Sequence, residues 1–203
     1  KGGSSHILVQ GCFFDRAGLR AVQIGGSTGL AFFRPKLGDC EASDITVAGN
    51  RFVGGWAAVA WVTSRGGHVH HNTIYRPDRY ALCILQENAD VPQLKPCREG
   101  VFEDNLVVFG PAVAGAVNVG RGTDAKPFVF RRNAWAGQDG RSPQVDLPVP
   151  ETAGLQGVDP NLRQPGTAGM APASDDPRLR SVGAHAYRRP SVPTTGRVGL
   201  PGG

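Results

Sequence analysis

The chain has 203 residues, enough for one domain with a core, and it carries 29 Gly and 16 Pro but only 7% aromatic residues. Its net charge of +5 is scattered, and no basic arm or aromatic-basic surface typical of nucleic-acid binding is present. No stretch reaches the length of a membrane span. Short β-rich runs broken by Gly, Asn and Asp dominate. We therefore expect an all-β monomer with no nucleic-acid partner and no membrane insertion.

A short pattern recurs five times along the first two-thirds of the chain. Each copy has a β-forming residue three places before an Asn (Cys12 in the first copy) and a large apolar residue two places after it. The copies are Ile7–Phe14, Ile45–Phe52, His68–Ile74, Val101–Val107 and Phe128–Trp135. A second strand follows in the first four copies: Ala21–Ile24, Ala58–Trp61, Ala81–Ile84 and Ala116–Val119. The gaps from the Asn position to its second residue are 10, 9, 10 and 12, which indicates a structural repeat.

Each repeat predicts one coil with two short strands, and stacked coils pair every strand with its copies at steps of about 4.8 Å. The predicted core columns are Val9, Val47, Val69, Phe102 and Phe130; Phe14, Phe52, Ile74, Val107 and Trp135; Val22, Val59, Leu82 and Val117; and Ile24, Trp61, Ile84 and Val119. The Asn positions are expected to form a turn ladder, because Asn tolerates the left-handed conformation and its amide can bond to the next copy. Cys12 is expected to end this ladder as a small buried thiol.

These repeats resemble a known family. The Gly-Asn-x-Phe and Asn-x-Ile units, with their Ala-Val-x-Ile strands, look like the pectate-lyase-like right-handed parallel β-helix superfamily, and the chain resembles its C-terminal portion. Val158-Asp159-Pro160, Pro172-Ala173-Ser174 and Val182-Gly183-Ala184 are similar to elements that close such solenoids. The resemblance implies a right-handed parallel β-helix of about five coils with an irregular C-terminal wrapping tail. It also implies a bacterial-like protein that is secreted, periplasmic or on the cell surface.

The sequence divides into three segments on this interpretation. Residues 1–135 are the coils, 136–187 are a capping segment that wraps the last coil, and 188–203 are expected to be a disordered tail. The chain begins at Lys1 without a signal-peptide pattern, so we expect an upstream region, with further coils, to precede it.

Two connections between strands are long enough to carry function. The loops after Ile24 and Ile84 far exceed the usual length of about 4–6 residues, whereas the turn after Trp61 is short. In a stack these loops would flank a groove about 10 Å across, two coil steps wide. Its walls and floor would carry Arg34, Lys36, Asp39, Glu41, Thr63, Ser64, Arg65, Gln86, Glu87, Asn88, Asp90, Lys95 and Arg98, with Arg76 and Arg79 near. Such a surface favours an extended charged polymer such as an acidic polysaccharide.

Lyases of the superfamily need a cation, or Arg and Lys, to neutralise the uronate carboxylate, and a base to remove the C5 proton. The candidates for these catalytic roles are Lys36, Arg34 and Arg79, and the candidates for substrate binding are Arg65, Arg76 and Lys95. Glu87 and Asp90 are candidates for holding Ca²⁺ as a cofactor. The paired-Asp pattern of pectin hydrolases and the Asp-rich calcium cluster of pectate lyases are both missing. Solvated loop residues are the alternative interpretation of each position.

The His68-Val69-His70-His71 run permits a zinc hypothesis, but strand alternation places His68 and His70 on the outer side and His71 at the bend. His70 would then lie between Ala48 and Glu103, and Glu103 over Arg131, as a surface ladder.

Four cysteines leave several pairings open. Cys40 and Cys97 lie in the two long loops and could form a bridge, Cys83 could pair with Cys97, or all four thiols could be free.

The function favoured by the sequence is that of a carbohydrate-active protein that acts on an acidic polysaccharide by β-elimination, as a lyase, or by epimerisation. The alternative is a noncatalytic glycan-binding or surface-structural protein. A fragment without independent activity is a third hypothesis, because fold alone does not select among these functions.

Overall fold

The computed structural model describes residues 1–34, 36–111, 113–138 and 143–190. Within these residues the chain is all-β, with twenty short strands and two single-turn 3₁₀ helices, at Leu30–Phe32 and Pro177–Leu179. The strands of the first half are β1 (Ser4–Ser5), β2 (Leu8–Gln10), β3 (Phe13–Asp15), β4 (Arg20–Gly25), β5 (Ala42–Ser43), β6 (Thr46–Ala48), β7 (Arg51–Val53), β8 (Ala57–Val62), β9 (Ser64–Arg65), β10 (His68–His70), β11 (Thr73–Tyr75) and β12 (Tyr80–Leu85). Those of the second half are β13 (Val101–Glu103), β14 (Leu106–Phe109), β15 (Gly115–Val119), β16 (Val129–Arg131), β17 (Ala134–Gly137), β18 (Leu155–Gln156), β19 (Leu162–Arg163) and β20 (Ala171–Pro172).

Four sheets are built from these strands, and every pairing within them is parallel. Sheet A has the order β1-β5-β9, sheet B β16-β13-β10-β6-β2, sheet C β18-β17-β14-β11-β7-β3 and sheet D β15-β12-β8-β4. The remaining strands, β19 and β20, form an antiparallel pair. From β1 to β17, strands that are consecutive in the chain lie in different sheets, and the order B, C, D recurs four times. The all-β prediction is confirmed.

The register agrees with the predicted columns. Val47 is aligned with Val9 on one side and with Val69 on the other, and Val69 is aligned with Phe102. The column that begins at Phe14 and the two columns of sheet D also have the predicted partners. Most of these side chains are buried in one cluster. Val119 is an exception at 42% exposure, because β15 is the edge strand of sheet D.

Buried asparagines join sheets B and C as predicted, but their backbone differs from the prediction. The amide groups of Asn50, Asn72 and Asn105 each donate to the Oδ1 of the next asparagine at 3.0 Å, and the last acceptor is Asn133. The left-handed residue is the one before each Asn, for example His71 with φ 51°. This arrangement leaves the Asn backbone N–H free to bond to the next Oδ1. The predicted left-handed Asn was therefore wrong.

The two ends of this ladder are different. Cys12 donates its backbone N–H to Asn50 Oδ1 at 2.9 Å, but its thiol is exposed, because β2 and β3 form the edge of their sheets. The prediction of a buried Cys12 was wrong. At the other end Glu151 accepts from the Asn133 amide at 2.8 Å and from Trp135 Nε1 at 2.7 Å, so a carboxylate takes the place of a further Asn.

The described part of the C-terminal segment covers the outer face of sheet C. Val158, Met170, Leu179 and Val182 pack in a second buried cluster with outward side chains of sheet C such as Leu106. Further along, the Tyr187 hydroxyl bonds to Gln10 Oε1 at 2.8 Å, and its ring lies beside His70 and His71. Most of the predicted tail, 191–203, lies outside the described residues. In the described part of the chain no helix has the length and apolar character to span a bilayer.

Candidate functional site

The two long loops contact each other, so they leave no open groove between them, contrary to the prediction. The backbone N–H of Lys95 donates to the carbonyl oxygen of Asp39 at 2.8 Å, and Arg98 Nη2 lies 2.7 Å from Asp39 Oδ2. Asn88 Nδ2 donates to Glu41 Oε1 at 2.7 Å. These contacts cross the short β8–β9 turn. We call the surface formed by residues 26–34, 36–41, 63–65 and 86–99 the loop edge.

Glu41 is the centre of the loop edge and is fully buried. Its carboxylate accepts hydrogen bonds from the backbone N–H of Gly2 at 2.8 Å and of Thr28 at 2.6 Å, from the Thr28 hydroxyl at 2.7 Å and from Asn88. A buried carboxylate is tolerated when its oxygens are saturated in this way. Glu41 therefore holds the loops together and does not line a groove.

The predicted catalytic residues do not converge. Arg34 Nη1 donates to the carbonyl oxygens of Ala31 and Phe33, within its own loop, and Lys36 is exposed beside it. Arg79 lies immediately before the first residue of β12, whereas residues 86–99 of the loop edge come after the last residue of this six-residue strand. Six residues at about 3.3 Å each separate the two ends by roughly 20 Å. Arg79 therefore lies apart from Lys36 and Arg34, and the three catalytic roles stay predictions.

The predicted substrate-binding residues also lie at two separate places, the loop edge and the turn before β12. Arg65 lies in the loop edge with Nη1 3.5 Å from Asp39 Oδ2, and Lys95 is exposed near it. Arg76 is in the turn between β11 and β12, on the side of Arg79, where its backbone N–H donates to Val108. The loop edge thus combines Arg65 and Lys95 with Arg34 and Lys36, but not with Arg76.

The calcium prediction gains no support from the arrangement. Glu87 Oε1 is 2.7 Å from Arg20 Nη1, and Asp90 is exposed. Ca²⁺ takes six to eight oxygen ligands, and the described residues contain no group of three or more His, Cys, Asp or Glu side chains able to hold a metal ion. The same finding gives no support to zinc at His68, His70 and His71.

All four cysteines are free thiols, the third of the alternatives left open by the sequence. Cys97 is buried beside Ser64, with Sγ 3.6 Å from the hydroxyl oxygen. Burial, followed by the charge of Asp39, raises the pKa of Cys40 to about 11, and burial raises the pKa of Cys83 to the same value. The thiols of Cys40 and Cys83 are therefore protonated near neutral pH and are poor nucleophiles.

The outer face of sheet B carries the predicted ladder and is the more organised polar surface. His70 is aligned with Ala48 and Glu103, and Glu103 with Arg131, which confirms this register. Glu103 bonds both across and diagonally: Arg131 Nε donates to Oε2 directly across the strand pair, while His68 Nε2 lies 2.5 Å from Oε1 on the diagonal and Arg132 Nη2 also donates to Oε2.

Glu103 is ionised in this setting. Burial by itself would raise its pKa, but hydrogen bonds from Arg131 and His68, together with the charge of Arg131 and that of His68 when it is protonated, outweigh burial and lower the pKa of Glu103 to about 2. Arg132 also donates two hydrogen bonds to the Asp104 carboxylate, from Nε to Oδ1 at 2.8 Å and from Nη2 to Oδ2 at 2.7 Å. The carboxylates of Glu103 and Asp104 and the guanidinium groups of Arg131 and Arg132 thus form one network with equal numbers of negative and positive charges, and the imidazole of His68 bonds to it through Glu103.

The neighbouring histidines are neutral. The rings of His68 and His70 are 4.2 Å apart, and His70 Nδ1 is 3.0 Å from His71 Nδ1. Burial, then repulsion from His68 and His71 whenever these rings are protonated, lowers the pKa of His70 to about 4, and burial also lowers the pKa of His71. One of these two rings therefore donates its Nδ1 hydrogen to the other near neutral pH.

A shallow groove of about 390 Å³ borders this network. It is lined by Asp44, Ile45, Thr46, Gly67, His68, Glu99, Val101 and Arg131. Gly67 has φ +94°, and a Cβ there would lie 2.8 Å from Trp61 Nε1, so only Gly fits between the groove and the core. Sequence reasoning identified the ladder but not the groove, because the groove depends on the corner residues Asp44 and Glu99, and the equivalent corners are of other residue types, His6 and Gly66.

Comparison with protein-family models, curated proteins and solved structures finds no significant match to the chain in any of the three.

Proposed function

We propose that the parallel sheets B, C and D are faces of a right-handed β-helix of the pectate-lyase-like type. The support is the recurrence of the three strands of each repeat in the same three sheets, with Val47, Val69 and Phe102 in register. A right-handed path is the rule for parallel strands joined by a crossover.

On this scaffold the protein binds an acidic polysaccharide and acts on it by β-elimination or epimerisation. The observation that carries this proposal is the set of exposed basic side chains on the loop edge. Three of its carboxylates are engaged within the protein, since Glu41 is buried, Glu87 pairs with Arg20 and Asp39 with Arg98, whereas Asp90 and Glu99 are exposed. The basic side chains Arg34, Lys36, Arg65 and Lys95 remain exposed or half-exposed. Exposed cations that are not paired within the protein can attract a polyanion. A secreted, periplasmic or surface location would bring the protein to such a polymer.

Retention on immobilised alginate, polygalacturonate and glycosaminoglycan tests the binding. A Lys36→Gln, Arg65→Gln, Lys95→Gln variant should elute at clearly lower salt than the native chain, because three cations are lost from one surface. The control, Arg16→Gln, Arg163→Gln, Arg180→Gln, has the same net charge but removes exposed arginines elsewhere, and its retention should change much less. Equal loss in both variants would show that only net charge matters and would contradict a specific surface.

Turnover is measured separately, by the ultraviolet absorbance of unsaturated uronate for elimination and by inversion at C5 for epimerisation. Absence of both with every polymer would remove the enzymatic form of the proposal.

The noncatalytic alternative is favoured by one observation, the direct contact of the two loops across the β8–β9 turn, which leaves no cleft at the loop edge. A purely binding protein would retain the polymer on its surface without turnover.

A further inference from the structure

We propose that His68 is the proton acceptor of the reaction and that Glu103 is its positioning residue, with the groove on the outer face of sheet B as the catalytic centre. The inference rests on the proposed function and moves the chemistry away from the loop edge, to which Lys36 and Arg34 had been assigned.

The hydrogen bond to Glu103 determines which nitrogen of His68 can act. Glu103 is ionised and can only accept, so His68 Nε2 carries the hydrogen. The neutral ring then has its lone pair on Nδ1, and the side chain is 41% exposed. A carboxylate that fixes the tautomer of an imidazole and stabilises the imidazolium is the arrangement of a general base with its orienting group.

The position of Glu103 is in turn fixed by two arginines, so the orienting group is rigid. The Glu103 side chain is only 8% exposed, and its second oxygen accepts from Arg131 and Arg132. Arg132 is further held by Asp104 at 2.7 Å. Rigid support from packing and hydrogen bonds is what keeps a catalytic side chain in a productive geometry.

Arg131 supplies the cation that the reaction requires. Its Nε bonds to Glu103, its side chain is 45% exposed, and it lines the same groove as His68. In the part of the chain that the structure describes, its terminal nitrogens Nη1 and Nη2 make no hydrogen bond. They can therefore bind a uronate carboxylate and stabilise the negative charge that develops when the neighbouring carbon is deprotonated.

The step balances without a co-reactant. His68 Nδ1 takes the C5 proton, and the electron pair of the C5–H bond moves toward the carboxylate held by Arg131. In elimination this pair forms the C4–C5 double bond, the C4–O4 bond breaks, and the leaving oxygen takes the proton from the His68 imidazolium. In epimerisation the carbanion takes a proton from water on its opposite face, and the imidazolium returns its own proton to the hydroxide left behind.

Two exposed carboxylates limit how a uronate can enter. Asp44 and Glu99 line the groove with His68, and they repel an anion. The carboxylate of the sugar must therefore lie at Arg131 rather than at the Asp44 end. Asp44→Asn with Glu99→Gln should retain the polymer to higher salt and lower KM, with a smaller effect on kcat.

The experiment compares the native 203-residue chain with His68→Gln on polymers retained by the chain. Gln keeps a donor for Glu103 but cannot accept the proton. We expect loss of turnover by a factor of about 100 or more, the usual contribution of a general base, with unchanged retention on the polymer. Deuterium incorporation at C5 in D₂O should fall in parallel. His6→Gln, at an exposed histidine outside the groove, is the matched control and should keep native activity.

Glu103→Gln tests the positioning role. Removing the negative charge weakens the acceptor that fixes the Nε2–H tautomer of His68, so the preference for this tautomer in ¹⁵N spectra should weaken as kcat falls. A structural role alone would lower the melting temperature without changing the tautomer. Imidazole ¹⁵N spectra of the native chain should show His68 protonated on Nε2, and protonation on Nδ1 would overturn the inference independently of activity.

The outcomes separate the two proposals. Native turnover that survives in His68→Gln would overturn the role of His68 and leave the proposed function intact. Absence of turnover and of C5 exchange in the native chain would overturn the inference, and retention on the polymer would then decide whether binding alone stands. Absence of retention would remove both.

Discussion

The Asn ladder and the loop edge both bury polar groups, but they satisfy them in opposite ways. In the ladder the same amide recurs in four successive repeats, so Asn72 accepts from Asn50 and donates to Asn105. In the loop edge the single carboxylate of Glu41 collects four donors from three separate segments. Repetition therefore fixes the interior through many equal contacts, whereas the loop edge depends on one side chain.

Substitution in the middle of the ladder should have the largest effect. Asn72→Ala removes the acceptor of the Asn50 N–H and amide, and the donor to Val47 and His70 carbonyl oxygens. Several buried groups lose their partners, so the free energy of unfolding should fall by about 3 kcal/mol or more. Urea denaturation followed by circular dichroism measures the change. Asn118→Ala, at a half-buried position of β15, is the control, and an equal loss there would contradict a special role of the ladder.

Substitution at the centre of the loop edge should have a smaller and local effect. Glu41→Gln replaces one accepting oxygen by an NH₂ group that opposes its donors, at a cost of about 2 kcal/mol. Hydrogen exchange should accelerate in 26–41 and 86–99, with sheets B and C still protected. Glu87→Gln, which breaks only the half-exposed pair with Arg20, should change stability by less than about 1 kcal/mol. Uniform loss of protection from exchange in Glu41→Gln would mean that the loop edge and the parallel sheets unfold together, and would contradict a local effect.

The pH dependence of stability should be the smallest effect, and it concerns the surface of sheet B. The folded pKa of His70 is about 4, below its ordinary 6.5, so its neutral form stabilises the fold above pH 6.5. That stabilisation is lost as pH falls from 6.5 towards 4, because the unfolded state binds the proton more tightly. Lowered pKa values at His71 and His185 act in the same direction. Melting temperatures of His70→Gln should vary less over this window than those of the native chain, and identical curves would contradict the contribution of His70.

The parallel pairing of the repeated strands could be predicted from the sequence because each repeat has the same spacing. Val47, Val69 and Phe102 each stand three places before an Asn, and this spacing is sufficient to align their strands. The His70–Glu103–Arg131 ladder followed from the same register. The left-handed residue before each Asn was missed, since only Gly11 and Gly49 identify it by residue type.

The loop edge and the groove could not be predicted in this way. The contact of Asp39 with Arg98 joins residues 59 positions apart in two loops without a common pattern. Glu41 is an ordinary acidic residue in the sequence, and nothing near it indicates that Gly2, Thr28 and Asn88 converge on its carboxylate. The same is true of Glu151, which ends the Asn ladder from a segment without repeats. Such sites depend on single long-range contacts, and periodicity contains no information about them.

The proposed stacking of the coils in register is tested most directly by NOE measurements between core side chains of the native chain. In-register stacking predicts direct contacts of the Val47 methyl groups with those of Val69, and of the Val69 methyl groups with the Phe102 ring. Parallel strands about 4.8 Å apart bring aligned side chains within NOE range. Absence of both contacts, with Val47 and Phe102 instead showing NOEs to residues three and four places away in their own segments, would contradict the stacked coils.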